Sequence, residues 1–242
     1  MNHLAATEHH SHKSLRELLA TVDLPSVLDH ACLDPLQSGS ALQEQLEAAR
    51  LRGCAGFCIP SGWVERVRSR LPSTGPPRLV AVVGFPTGAV PSSVKLAEAE
   101  WVAEAGADEL DVVPDFAALV DGNTERVYEE LAAIVQLGLP VKVITEAARL
   151  PTSLLEQLVE VAVDAGAQWL KTGTGYGPGV TPELVRLLVK LARKRAAVKA
   201  SGGIHGLEQA LRLLEAGARR LGLSRAPALL EAARRGEIGP LR

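Results

Sequence analysis

The sequence predicts an α/β fold of the closed (β/α)8 type, a TIM barrel built as a single domain with an N-terminal helical extension. Three observations carry that prediction. Short apolar runs alternate with longer segments of helical period, a pattern that requires a parallel sheet covered by helices. Eight such runs fall within 242 residues, about 30 residues per unit, which suits a closed barrel better than an open doubly wound sheet. A string that ends a helix, passes a glycine and enters a strand recurs as EAGADELDVV, DAGAQWLKTG and EAGARRLGLS, around Gly106, Gly166 and Gly217. Arg52-Gly53-Cys54-Ala55-Gly56 is a looser copy. Glycine fits just past a helix end because it takes the left-handed conformation without a side-chain clash.

The eight runs are Val27–His30, Gly56–Ile59, Leu79–Gly84, Glu109–Val113, Val141–Thr145, Trp169–Thr172, Ala197–Ala200 and Arg220–Leu223. Helix starts are marked between them. Ser40 with Gln43, and Ser153 with Glu156, have capping-box spacing. Thr181-Pro182 reads as an N-cap followed by proline in the first turn. The segment Ser93–Ala105 places Val94, Ala97, Trp101 and Ala105 on one stripe, which predicts its buried face. Residues 1–13 read as a mobile tail whose His9, His10 and His12 are solvated rather than ligating. Residues 14–242 form the barrel domain.

Composition excludes several function classes. A net charge of −2 and 3% aromatic residues give no basic face for nucleic acid. No apolar run reaches the ~18–20 residues of a membrane span. The opening MNHLAATEHHSHK lacks the apolar core of a signal peptide, which predicts no export. Three cysteines, Cys32, Cys54 and Cys58, are too few for a disulfide framework, and a reducing, cytosolic compartment is expected. No GxGxxG follows the first strand, which speaks against dinucleotide binding. Of the 26 cations, 19 are arginine and 7 lysine. A lysine inside an apolar strand of so lysine-poor a chain needs a reason.

Reactive groups of a barrel gather at strand C-terminal ends. Lys171 ends one apolar run, and Lys199 lies on the next strand. Either lysine could simply pair with a rim carboxylate. Two at similar height would also make one amine a nucleophile toward carbonyls, because burial and a neighbouring cation both disfavour its proton. Asp111 sits in an apolar strand and must be paired or functional. Lys142 on the following strand offers a partner, so a buried ion pair and a proton shuttle are both open. Glu146 could also hold a lysine. Asp29 closes the first strand, and His30 beside it reads as a packed, hydrogen-bonded residue. Cys58 points into the barrel if Phe57 points out; a small core residue is its plainer reading. Gly173, Gly175, Gly177, Gly179, Gly202, Gly203 and Gly222 cluster after strands six to eight, where barrels bind phosphate on backbone N–H groups.

With LDHACLDP, GFCIPSGWV, VVGFPTG, GADELDVV, VKVITEA, LKTGTGYG, VKASGGI and EAGARRLG in this order, the chain resembles the deoxyribose-phosphate aldolases from about Leu28 to Leu223. That resemblance implies a class I aldolase cleaving 2-deoxy-D-ribose 5-phosphate to acetaldehyde and glyceraldehyde 3-phosphate, without metal or organic cofactor. It implies Lys171 as Schiff-base nucleophile, Lys199 as its perturbing neighbour, Asp111 as proton-relay acid/base and Lys142 as the group that holds Asp111. Asp29, Cys58, Thr174, Gly175, Gly202, Gly203, Ser224 and Arg225 would contact substrate or its phosphate. A homodimer is implied too, with small sugar phosphates and aldehydes as substrates. The pattern departs at four places. Gly173 stands where the family often has serine, Ser224-Arg225 where it has Ser-Ser, Pro114-Asp115-Phe116 where it has an asparagine, and Ala31 where it has threonine. A phosphosugar isomerase using Asp111 and a lysine without a covalent intermediate is the competing enzyme reading. A catalytically silent, metabolite-binding barrel is the third.

Overall fold

A computed structural model describes residues 15–72 and 74–239. The strands are β1 (Leu28–Ala31), β2 (Gly56–Ile59), β3 (Arg78–Val83), β4 (Glu109–Val112), β5 (Val141–Ile144), β6 (Trp169–Lys171), β7 (Ala197–Ser201) and β8 (Arg220–Leu223). They pair in parallel, in chain order, and β8 returns to β1 to close the barrel. Helix α1 spans residues 15–21. The helices that follow are α2 (Gly39–Leu51), α3 (Val64–Arg68), α4 (Ser92–Glu104), α5 (Phe116–Val120), α6 (Thr124–Val135), α7 (Thr152–Asp164), α8 (Pro182–Ala192), α9 (Leu207–Glu215) and α10 (Ala226–Arg234). The predicted tail at 1–13, with its histidines, lies outside the described residues.

Strand periodicity sorts the side chains into two compartments. Leu28, Phe57, Leu110, Val112, Val141, Val143, Leu170, Val198, Ala200 and Leu221 join one large cluster with the helices. Their neighbours Asp29, Cys58, Asp111, Lys142, Lys171 and Lys199 are also buried, and belong to the other face of the sheet. The barrel interior is therefore mostly charge, with a small apolar patch of Cys58, Val80 and Val82. Barrel interiors are usually filled by layers of branched aliphatic side chains. The glycines of the repeated string are left-handed, with φ of 68° at Gly53, 95° at Gly106 and Gly166, and 110° at Gly217.

Three local expectations need correcting. Helix α2 is capped by Ser38, whose side chain accepts from the Ala41 N–H, so Ser40 lies inside the helix and the Ser40/Gln43 box does not form. Helix α7 opens at Thr152 after Pro151 without a side-chain cap, which leaves Ser153 internal. The stripe assigned to α4 is on the wrong face. Val94, Ala97 and Trp101 are exposed, while Lys95, Ala99 and Val102 are buried. A fully buried lysine caused the error, since apolar periodicity assigns lysine to solvent. Lys95 Nζ lies 2.8 Å from Glu130 Oε1 and donates to the Val113 carbonyl at 3.1 Å. Glu130 also accepts from Ser92 Oγ at 2.7 Å and from the Asp115 N–H at 3.0 Å. This network ties α4 and α6 to the segment leaving β4, and so steadies the strand that carries Asp111. Asp115 caps α5 by accepting from the Ala118 N–H at 3.0 Å.

Thr181 caps α8 as predicted, accepting from the Leu184 N–H at 3.3 Å with proline in the first turn. Thr181→Ala should cost about 1 kcal/mol and lower the thermal midpoint by roughly 2–4 °C, read by circular dichroism melting.

Candidate active site

The site is built on register. Asp111 of β4 stands opposite Lys142 of β5, Ile144 of β5 opposite Lys171 of β6, and Lys171 opposite Lys199 of β7. All four ionisable side chains face the interior, and none is more than 2% exposed. Lys171 Nζ donates to Asp111 Oδ2 at 3.0 Å, and Lys199 Nζ donates to the same oxygen at 2.8 Å. Lys142 Nζ lies 3.0 Å from the other oxygen, Oδ1, and 2.6 Å from Glu109 Oε2. Three amines therefore meet one carboxylate.

Asp29 sits among the buried charges. It is fully buried and pairs with Lys199 at 2.6 Å and with Arg220 at 2.8 Å. It does not line the cavity at the mouth. Room for it comes from Gly56, where a Cβ would fall 2.3 Å from Asp29 Oδ1. Gly222 likewise yields space to Lys199, whose Cε would lie 2.9 Å from a Cβ there. Gly222 thus has a packing reason beyond any role toward phosphate.

Burial works against the charge on Asp111, but Lys142, Lys171 and Lys199 outweigh it and hold the carboxyl well below its ordinary value. Asp29 is lowered in the same way, against burial, by Lys199 and Arg220. Burial also opposes the charge on Lys199, yet Asp111 and Asp29 raise its pKa. The site therefore holds ionised carboxylates and an ammonium at Lys199. Cys58 Sγ lies 3.8 Å from Asp111 Oδ2. Burial and then the Asp111 charge push its thiol up to about 11, so it is no thiolate nucleophile in this state.

Above the charges opens a cavity of about 560 Å³. Lys171, Lys199 and Cys58 reach it from below, and Thr174, Gly175, Gly202, Gly203, Ser224 and Arg225 line it. The loops after β6 and β7 touch through glycine: a Cβ on Gly203 would fall 2.9 Å from Gly179 Cα. Gly175, Gly202 and Gly203 have φ of 94°, 100° and 68°, in the left-handed region. Glu146 takes a different partner from the lysine expected; it accepts from the Thr174 N–H and braces that loop. His30 is packed as expected, 2.6 Å from Gln45 Oε1.

Sequence reasoning passed over several residues here. The Phe85 ring lies 5.8 Å from Lys171 Nζ, and Tyr176 meets Phe85 edge-on at 5.7 Å. The Tyr176 hydroxyl donates to the Leu33 carbonyl at 3.3 Å, which links the loops after β6 and β1. His205 lines the cavity beside the glycines. Glu109 and Arg220 join the charge network from strand beginnings rather than from strand ends. Their signal was legible, since each is a charged residue opening a buried strand.

Fold and site together define a parallel (β/α)8-barrel enzyme with paired buried amines under a glycine-lined mouth. No protein-family model matches the chain. A deoxyribose-phosphate aldolase of Thermosynechococcus vestitus is 41% identical, over 86% of this chain and 96% of that protein. A structure titled as an aldolase, QR15, superposes with a TM-score of 0.85 at 34% identity, covering 89% of this chain and 97% of the other. The deoxyribose phosphate aldolase of Aeropyrum pernix, described as tetrameric, gives 0.81 at 34% identity over 91% and 96%. The chain belongs to the deoxyribose-phosphate aldolase family.

Acid titration should report the carboxylate at the centre. A carboxyl lowered in the folded state adds stability that is present above its ordinary value of 3.8 and is lost as pH falls through the lower, folded value. Unfolding free energy from urea titrations should therefore fall as pH drops below about 4. The fall should be shallower in Asp111→Asn; parallel curves would remove Asp111 from that linkage.

Proposed function

We propose that this protein is a class I aldolase that reversibly cleaves 2-deoxy-D-ribose 5-phosphate to D-glyceraldehyde 3-phosphate and acetaldehyde through a Schiff base on Lys171. The observation that carries this reading is the shared oxygen. Lys171 and Lys199 meet Asp111 Oδ2 at the base of a cavity lined in part by Gly175, Gly202 and Gly203. Of the two, Lys199 also holds Asp29 and is bound into the charge network on both sides. Lys171 makes one ion pair among the described residues and stands under the cavity. It is the amine free to add to a carbonyl.

The chemistry follows from these positions. Neutral Lys171 adds to the substrate aldehyde, and the carbinolamine loses water to give an iminium. The iminium accepts the electron pair of the C2–C3 bond as the C3 hydroxyl loses its proton. Glyceraldehyde 3-phosphate leaves and an enamine remains. Protonation of the enamine carbon and hydrolysis release acetaldehyde and the amine. Asp111, kept ionised, is the proton acceptor, directly or through water; Lys199, kept protonated, is the donor facing the developing oxyanion. Lys142 fixes the far oxygen of Asp111, so Oδ2 stays aimed at the two lysines.

Backbone at Gly175, Gly202 and Gly203, with Thr174, Ser224 and Arg225, would hold the phosphate. Its binding would orient the reacting carbon. Arg225 stands where the family has a second serine and would supply a charge-assisted, forked contact instead. Asp29 acts in this reading through Lys199, and Cys58 as a small wall residue. The same reading carries a homodimer and a cytosolic setting. The setting is supported by three buried, unbridged thiols and the dimer by the family resemblance. Among the described residues no helix is long and apolar enough to cross a membrane.

Reductive trapping with acetaldehyde should leave a two-carbon adduct on Lys171, located by peptide mass spectrometry. Lys171→Ala should fold and lose activity on the order of 10³-fold or more. An adduct on Lys199 would exchange the lysines; none on folded protein would remove the aldolase reading. Arg225→Ala should raise KM for the phosphorylated sugar about ten-fold and leave KM for plain deoxyribose unchanged. Equal effects on both sugars would take Arg225 out of the phosphate site.

A further inference from the structure

The charges below the cavity form a closed ring. Arg220 pairs with Asp29 at 2.8 Å, Asp29 with Lys199 at 2.6 Å and Lys199 with Asp111 at 2.8 Å. Asp111 then pairs with Lys142 at 3.0 Å, Lys142 with Glu109 at 2.6 Å, and Glu109 returns to Arg220 at 3.8 Å. Three cations alternate with three anions, so the ring is neutral. Lys171 is the seventh group, attached to it only at Asp111 among the described residues. A proton on Lys171 gives the assembly one uncompensated positive charge in a buried place, and its loss restores neutrality.

Register makes the coupling direct. Lys171, Lys199 and Arg220 form one row across β6, β7 and β8. Two strand spacings set the Arg220 backbone about 10 Å from that of Lys171. Facing Lys171 are Asp111, Lys199, Cys58 and the Phe85 ring. Facing Arg220 are Asp29, Glu109 and the Trp169 ring, the last at 5.4 Å. Neither Arg220 nor Glu109 lines the cavity.

We propose that Arg220 and Glu109 are positioning residues that close this ring at the barrel floor, fix its net charge at zero, and so set the protonation of Lys171 without touching substrate. The proposal rests on the reading of Lys171 as the Schiff-base amine. Its signature is a pair of opposite effects. Without the Arg220 charge the ring is negative, Lys171 keeps its proton more tightly, and a higher pH is needed for addition. Without the Glu109 charge the ring is positive, and a lower pH suffices.

The test is the pH dependence of cyanoborohydride trapping of acetaldehyde on Lys171, with the adduct located by peptide mass spectrometry. Arg220→Met should move the profile midpoint up and Glu109→Gln should move it down. Each shift should be about one pH unit, as a unit charge some 10 Å away at an effective dielectric near 20 produces. The double variant should return close to wild type, and Arg220→Lys should not move. If Arg220→Met fails to fold, Glu109→Gln against Glu109→Asp keeps the test, with only the amide shifting. Unmoved midpoints, or two shifts of the same sign, with label still on Lys171 would overturn the ring's role alone. Wild-type protein that traps nothing on Lys171 would overturn the aldolase reading on which it rests.

Discussion

One carboxylate organises this molecule. Asp111 has no exposure to solvent and receives three amines on two oxygens. Ionised and alone at that depth it would be costly, and so would each of its partners. Together they are tolerable only in this arrangement, which ties β4 to β5, β6 and β7. Removing Asp111 would leave three amines buried with too little opposite charge. The chemistry of the site and the integrity of the barrel interior thus rest on the same few contacts.

Outer parts of the structure serve that interior. The buried Lys95–Glu130 pair anchors the segment that follows β4. Gly56 and Gly222 clear space for Asp29 and Lys199. The aliphatic shell between strands and helices supplies the burial that keeps water from the charges. The usual division, with the apolar core central and the polar groups outside, is here moved outward by one layer.

Much of this was legible in the sequence, because strand periodicity is strict. Alternation of aliphatic and charged residues in Glu109–Val112 and Val141–Ile144 states both the strand and which residues face inward. Lys171 and Lys199 ended recognisable runs, so their adjacency followed from the parallel order of neighbouring strands. Helix faces were less legible where charge was buried. Lys95 reads as a surface residue, since its partner Glu130 lies 35 positions away and no local signal joins them. The partners of Asp29 were hidden in the same way: it pairs with Lys199 and Arg220, and nothing near it in sequence tells a rim carboxylate from one at the barrel floor. The Ser40 and Ser153 boxes failed because Ser38 and Pro151, each just outside, already begin the helix.

A charged interior also has its own response to heat. The penalty for withholding water from ions falls as temperature rises, because ion hydration carries a strongly negative entropy. Apolar burial gains little over the same range. The ring that includes Asp29, Asp111 and Lys199 is therefore most costly in the cold and least costly in the warm. The same residues that prepare an amine for addition give the barrel a centre whose relative stability improves on warming.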